Sequence, residues 1–514
     1  MKDNRWFAIA CPPGNDNLAG KDMTTLVAVP KLASRIQNLL TLALVVLALA
    51  ATFSLNAAES KPTRLNVLFI IADDQNCQLG CYGNRVVKTP NIDRLASLGV
   101  RFDRAYCNYP VCNASRTSFL SGRFPDTTKV FGNGTQPRVA LGQTYQFLPE
   151  YFRAQGRFTA GIGKIAHGTF ADLLKWDVFT DPMHGGGQDE DDQVAQQPRQ
   201  GKARRGGAGK AKARAESKAD SVPFGWQATD NQDEEEPDGI TARRVARLIE
   251  EHKNKPFFIA AGFHKPHVPH VAPKKYFDMY SLEQMPVPVE PPGHAKNIPA
   301  IARPPKDFPD LTDQQKREII QHYYAATTFM DAQVGVLLET MDRLKLWDNT
   351  VVVFLGDHGW HHGEHDGFWA KMSIMEESAR APLIVCAPGR KSHATSPRLV
   401  EFVDIFPTLT ELCGLPQQDG VEGLSFAPLL DRPERPWKKG VFSVVTRRGG
   451  LGRSVRTEQF TYIEWPDSST QLYDYTRDPK EYYNLVKNPE HAKTAAELKH
   501  LLKNGWQAAR PLAN

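Results

Sequence analysis

Four stretches of this chain are apolar through their length, and three of them stop abruptly at polar residues. Asn66-Val67-Leu68-Phe69-Ile70-Ile71-Ala72 runs into Asp73-Asp74, and Pro256-Phe257-Phe258-Ile259-Ala260-Ala261-Gly262 leads to His264-Lys265-Pro266-His267. Thr350-Val351-Val352-Val353-Phe354-Leu355 ends in Gly356-Asp357-His358-Gly359-Trp360, and the fourth stretch is Ala381 to Cys386. A strand with one wet face alternates apolar and polar residues, so unbroken apolar runs mark strands covered on both faces, the habit of parallel sheets between helical layers. Weaker strand patterns lie at Val100–Ala105 and Phe158–Gly161. Helical patterns separate these runs: Thr89–Gly99, Leu148–Gln155, about Ile240 to Lys253 with Asp238 placed as N-cap, and Thr312–Leu344. In the last, Ile319, Tyr323, Ala326, Met330, Val334 and Leu337 recur every three or four residues and read as a core stripe. Strand and helix in alternation predict an α/β fold. Ligands of such sheets bind beyond the carboxyl ends of the strands, where the acids of this chain fall.

Asp73, Asp74, Asp357 and His358 at neighbouring strand ends would form an oxygen-rich ligand set suited to Ca²⁺ or, second, Mg²⁺. Cys112-Asn113-Ala114-Ser115-Arg116 opens a short helix stopped by Gly122, with Cys112 and Arg116 four residues apart on one face. The N–H groups and dipole at that end attract a sulfate or phosphate. A lone cysteine is ordinarily a small buried hydrophobe, and only these surroundings give it a chemical role. Lys164 and His167 sit between Gly163 and Gly168, where the backbone can approach a ligand, and Lys371 is a second cation for an anion. The His264/His267 pair suits metal ligation, proton donation or sulfate binding alike. His361-His362-Gly363-Glu364-His365 is open between zinc and a substrate rim. Gly363 and Asp366-Gly367 favour a loop, which places Trp360 and His365 on the rim.

The ends and one insertion differ from this pattern. Leu39 to Leu55 is apolar behind Lys31 and Arg35 and precedes Ala57-Ala58, so residues 1–58 read as a secretory signal, with Met23 an alternative start and an uncleaved anchor the alternative outcome. Residues 185–222 pass from an acidic cluster into a Lys/Arg/Ala/Gly tract with too little apolar content to fold, and read as a disordered insertion. The formal charge of +5 comes from these parts. Residues 199–220 hold eight basic side chains against two acidic and residues 1–58 hold five against three, which leaves −3 for the rest and no nucleic-acid footprint. Six cysteines follow the signal; if Cys112 is converted chemically, Cys77, Cys81, Cys107, Cys386 and Cys413 remain, and that odd count argues against a disulfide scaffold. The expected organisation is a catalytic domain over 64–432 and an α+β subdomain over 433–514, the latter with strands at Val441–Thr446 and Gln459–Trp465, a turn from Leu472 to Pro479 and a terminal helix.

The pattern Cys112-x-Ala114-Ser115-Arg116 resembles the signature of the type I sulfatases, in which that cysteine is oxidised to formylglycine; Ala114 stands where the commonest form has proline. Ala72-Asp73-Asp74, Gly80-Cys81-Tyr82-Gly83, Ser118 to Thr128, His264-Lys265-Pro266-His267 and Asp357-His358-Gly359-Trp360 with Gly363-Glu364-His365 are similar to the same family, and within it to the iduronate subtype. The resemblance covers Asn66 to about Asn484. It implies an alkaline-phosphatase-like, mostly parallel sheet flanked by helices, with a smaller C-terminal antiparallel sheet. It further implies Ca²⁺ held by Asp73, Asp74, Asp357, His358 and the formylglycine from Cys112, which a maturase must generate. One hydroxyl of the hydrated aldehyde would attack sulfur while Arg116, Lys164 and Lys371 stabilise charge on the sulfate oxygens. His267 would protonate the leaving alcohol, and the second hydroxyl would expel sulfate with help from His167. Lys129 to Gln136 and the stretch from Asp357 to Lys371, one residue longer, depart from the subtype and are expected to line the sugar pocket. The implied protein is exported (periplasmic, extracellular or lysosomal), is not held in a membrane once the signal is cleaved, and acts on a sulfated carbohydrate, uronate 2-O-sulfate first. Aryl or choline sulfates, phosphate or phosphonate esters, and glycan binding without turnover are the open alternatives.

Overall fold

The Asn66–Asp73 run is strand β1, and its eight residues are all buried. A computed structural model of the chain describes residues 65–183, 224–304 and 311–511. The apolar run at Leu39–Leu55 and the 185–222 insertion lie outside them. Seven further strands join β1: β2 (Val100–Tyr106), β3 (Phe158–Gly163), β4 (Val178–Thr180), β5 (Phe257–Pro266), β6 (Thr350–Gly356), β7 (Leu383–Cys386) and β8 (Ala394–Glu401). Their order across the sheet is β8-β2-β7-β6-β1-β5-β3-β4. β7 runs antiparallel to β2 and β6, and every other pairing is parallel.

The side-chain alternation of β1 divides the core into two layers. Val67, Phe69 and Ile71 face helices α2 (Cys112–Ser121), α3 (Leu148–Ala154) and α6 (Ile405–Leu412). Leu68, Ile70 and Ala72 face α1 (Pro90–Leu98), α4 (Pro237–His252) and α5 (Asp313–Leu344). Phe69 meets Phe119 edge-on at 5.9 Å and Phe258 at 6.0 Å, so truncation to alanine there would cost about 3–5 kcal/mol. The α5 stripe is buried as its spacing predicts, and Thr312 caps the helix by accepting from the Gln315 N–H. At α4 the expectation needs correcting. Glu236 is the N-cap residue, and Asp238, inside the first turn, turns its buried carboxylate to the backbone N–H groups of His264 and Lys265 at 2.8 and 2.9 Å.

Beyond β8 the chain builds a four-stranded antiparallel sheet in sequence order: β9 (Val441–Arg447), β10 (Gly450–Arg456), β11 (Phe460–Glu464) and β12 (Thr470–Asp474). Helix α7 (Ala492–Ala509) packs on it. The turn expected from Leu472 begins only after Asp474, because Leu472, Tyr473 and Asp474 are taken into the ladder opposite Tyr462, Thr461 and Phe460. All six cysteines among the described residues are unpaired.

Candidate active site

Register brings the acids together. Ala72 of β1 pairs with Gly356 of β6, and the Asp357 N–H donates to the Ala72 carbonyl at 3.1 Å, so the residues that follow both strands share one edge. The approach leaves no room for side chains at the crossing points. A Cβ on Gly356 would overlap the Gln75 carbonyl, and one on Gly163, whose φ is +81°, would overlap that of Gly262. Asp74 has φ of 60° and is held from two sides: its N–H donates to Asp357 Oδ1 at 2.9 Å, and its carbonyl accepts from the Tyr323 hydroxyl at 2.8 Å. Tyr323 belongs to the α5 stripe read as core, and nothing in its spacing singles out its hydroxyl.

Cys112 is the first residue of α2, and Gly122 ends the helix with φ of 67°. Its Sγ lies 3.1 Å from Lys371 Nζ, 3.4 Å from His358 Nε2 and 3.7 Å from Asp74 Oδ1. Lys371 Nζ also donates to Asp74 Oδ1 at 2.9 Å, and Lys164 Nζ is paired with Asp73 Oδ2 at 2.6 Å. Arg116 stands differently from expectation. It is fully enclosed and donates to Asp73 Oδ1 and Asp357 Oδ2, both at 3.0 Å, and to the Lys164 carbonyl. The guanidinium therefore fixes the acids in place of reaching for an external anion. His267 Nδ1 donates to the Val268 carbonyl at 2.6 Å, which leaves Nε2 facing Asp74 Oδ2 at 3.7 Å. His358 is set the same way, with Nδ1 on the Gly359 carbonyl at 2.9 Å and Nε2 toward Cys112. His167 is buried on the turn that carries Lys164.

Three overlapping sets, Asp73/Cys112/His267, Asp74/Cys112/His358 and Asp73/Asp74/Asp357, bring ligand atoms within 4.8 Å of one another, all buried. Convergent buried carboxylates repel unless a cation completes them, and oxygen donors of this kind fit a hard divalent ion such as Ca²⁺ or Mg²⁺. The proton equilibria carry the same signature. Burial works to raise Asp73, but Lys164 and Arg116 hold its carboxyl well below the usual range, whereas burial prevails at Asp357 and pushes it up. Burial opposes charge on His358, yet Asp357 and Cys112 outweigh it and push the ring up to about 9. Burial and then Asp73 push the Cys112 thiol up to about 12, so at neutral pH position 112 carries a protonated thiol, a poor nucleophile.

Other predicted residues part from this group. His264 pairs with Asp181 at 2.9 Å, so the His264/His267 pair is split between two surroundings. His365 is not at a rim: its buried Nε2 bonds Glu377 Oε2 at 3.2 Å among His361, Phe368 and Tyr482. Trp360 is 2% exposed, packed on Tyr323, and turns its ring face toward Lys371 Nζ at 5.9 Å to the centroid. Ser115, whose hydroxyl donates to the Asp357 carbonyl, and Asn113, whose amide bonds the Gly132, Asn133 and Thr135 carbonyls, were not legible as site residues. The repeated acid-capped strands were the signal for the rest.

A sheet edge with three convergent aspartates around a helix-start cysteine defines a class of hydrolase, and the chain belongs to the sulfatase family: the family model described as Sulfatase matches residues 65–415. A second model, N-sulphoglucosamine sulphohydrolase, C-terminal, matches residues 363–507. The protein is a sulfatase, similar to the iduronate 2-sulfatase of Mus musculus at 33% identity over 406 residues, 70% of each chain. It is also similar to a sulfatase of Formosa agariphila, 30% identical over 450 residues, 85% of this chain and 86% of that one. In fold it resembles the phosphonate monoester hydrolase of Agrobacterium radiobacter, with TM-score 0.70 and 22% identity over 87% of this chain and 96% of that one. The alkaline-phosphatase-like architecture is thus present, with its mixed eight-stranded sheet and smaller antiparallel sheet.

Proposed function

We propose that this sulfatase removes sulfate from a sulfated carbohydrate, uronate 2-O-sulfate first, at Cys112 converted to formylglycine. The observation that carries the reading is the setting of Cys112: a buried, protonated sulfur at a helix N-terminus, facing three carboxylates. A thiol is a soft ligand and a weak nucleophile there, and an oxygen-bearing side chain at 112 would complete a hard-cation set. A Ca²⁺ ion held by Asp73, Asp74, Asp357, His358 and residue 112 would supply Lewis acidity toward a sulfate oxygen. Arg116 orients Asp73 and Asp357. Lys164 and Lys371 bring ammonium charge to the sulfate oxygens, and Lys371 is already 3.1 Å from the reacting position. His267 holds its proton toward the leaving oxygen: burial opposes its charge, but Asp74 raises it. His167 is the base expected to assist sulfate release. Trp360 lies behind Lys371. The sugar pocket would be bordered by residues 129–136, and export would follow from residues 1–58.

The substrate choice is supported by similarity to the iduronate 2-sulfatase, and the phosphonate hydrolase fold keeps phosphonate esters as the second reading. The test is a panel on protein matured in its native host: an aryl sulfate, a uronate 2-O-sulfated disaccharide, a 6-O-sulfated glucosamine and a phenyl phosphonate. Preference for the uronate in kcat/KM is expected. An unmodified thiol at 112 in active protein would sink the mechanism, and preference for the phosphonate would replace the substrate.

A further inference from the structure

Lys371 sits on an awkward piece of backbone. The residues on either side of it, Ala370 and Met372, have φ of 65° and 71°, in the left-handed region that non-glycine residues enter only at a cost. Such a conformation persists only where the surroundings enforce it. Upstream, the antiparallel pairs Trp369–His362 and Ala370–His361 secure the strap. Downstream, the Met372 N–H donates to the Pro110 carbonyl at 3.2 Å, and the Met372 carbonyl accepts from Arg447 Nη2.

Arg447 closes β9 of the C-terminal sheet and is an unusual buried cation. It is 4% exposed, yet it forms no ion pair among the described residues. Its other hydrogen bond among the described residues runs from Nη1 to its neighbour's carbonyl, Thr446 O, at 2.9 Å. Thr446 is itself tied to the loop that delivers Cys112, exchanging two bonds of 3.0 Å with the Tyr109 hydroxyl. Burial without a counter-anion pulls the guanidinium down to about 10. A charge kept in such a place, at a cost in desolvation, is bound to what its donors hold.

We propose that Arg447 is a positioning residue for Lys371: by fixing the Met372 carbonyl it holds the left-handed strap in the one conformation that keeps the Lys371 ammonium beside Cys112 and Asp74. The C-terminal sheet thereby takes part in the chemistry of the main sheet without touching the substrate. The inference rests on the reading of Lys371 as a sulfate-binding group. If the clamp is lost, the strap relaxes toward ordinary φ and the ammonium swings away, a displacement of the kind that costs on the order of 10²-fold in rate.

A double-mutant cycle tests it on matured protein with an aryl sulfate: Arg447→Gln, Lys371→Ala and the pair, with thermal melts of each. Arg447→Gln is expected to lower kcat/KM by about 10- to 100-fold alone and by less than about twofold once Lys371 is alanine, with Arg447→Lys recovering part of the loss. Equal losses in both backgrounds, or no loss in the single variant, would overturn the proposal. If Arg447→Gln does not fold, Arg447→Lys carries the same cycle. Full activity in Lys371→Ala would instead overturn the site reading on which the inference stands.

Discussion

Two of the buried charge clusters among the described residues are built to opposite ends. At the junction of β8 and β9, Lys438 Nζ gives its three protons to Glu401 Oε2 at 2.7 Å and to Asp404 Oδ1 and Oδ2 at 2.8 and 2.7 Å. The carboxylates are finished off by backbone N–H groups: Phe442 to Glu401 Oε1, Glu401 to Asp404 Oδ2, and Leu424 to Asp404 Oδ1. Nothing is left over. Around Cys112, by contrast, three aspartates bring ligand oxygens within 4.8 Å of one another, with Arg116 and Lys164 paired to Asp73, Arg116 to Asp357 and Lys371 to Asp74. A closed cluster of spent charges serves the fold, whereas one whose carboxylates converge, the open cluster, has the donor set of a cation site.

That contrast breaks most sharply at Cys112. Cys112→Ala should lower sulfatase kcat by at least about 10³-fold while leaving the thermal midpoint nearly in place, since one small buried group is exchanged for another. Activity and melting of the same sample decide it, and retained activity would undo the contrast. The reverse holds for Lys438→Met. Leaving Glu401 and Asp404 without their cation should cost about 3–5 kcal/mol in denaturant unfolding, with turnover per folded molecule almost unchanged. A variant as stable as the parent would show that the closed cluster is not holding the two sheets.

Chelation should act on the open cluster alone. Removing a divalent ion from protein held at about a hundred times its Kd removes on the order of 2.7 kcal/mol, and added Ca²⁺ should restore the midpoint. The same shift in Lys438→Met would keep the clusters independent, whereas a melt indifferent to chelator would argue against a bound ion. The smallest effect belongs to a group outside both. Burial lowers His322, stacked on Trp226 at 4.2 Å, to about 4, so the unfolded chain takes up its proton first as the pH falls. The stability it lends is therefore present above the ordinary histidine range and lost as pH falls from about 6.5 to 4. His322→Gln should flatten the decline in melting temperature over that window, and an unaltered slope would assign the acid sensitivity elsewhere.

Much of the open cluster was visible in the sequence because parallel strands announce themselves. Continuous apolar runs need no partner to be recognised, and acids at the ends of two of them fall on the same sheet edge once the strands are parallel. The motif around Cys112 and the family it belongs to were legible for the same local reason. The closed cluster was not, since Glu401, Asp404 and Lys438 carry no spacing that separates them from surface charges. His365 was misplaced because a His/Glu-rich loop looks wet until Glu377, twelve residues on, folds against it.

The sequence by itself determined the layered α/β sheet, the helix that begins at Cys112 and the chemical types gathered at the strand ends, all set by short-range periodicity and local motif. Only the tertiary structure decided what each polar group is spent on: Arg116 on Asp73 and Asp357, Tyr323 on the Asp74 carbonyl, Arg447 on the strap that carries Lys371. Those choices depend on register and on contacts between residues as far apart as 297 positions, as between Asp74 and Lys371, and no local pattern encodes such distances.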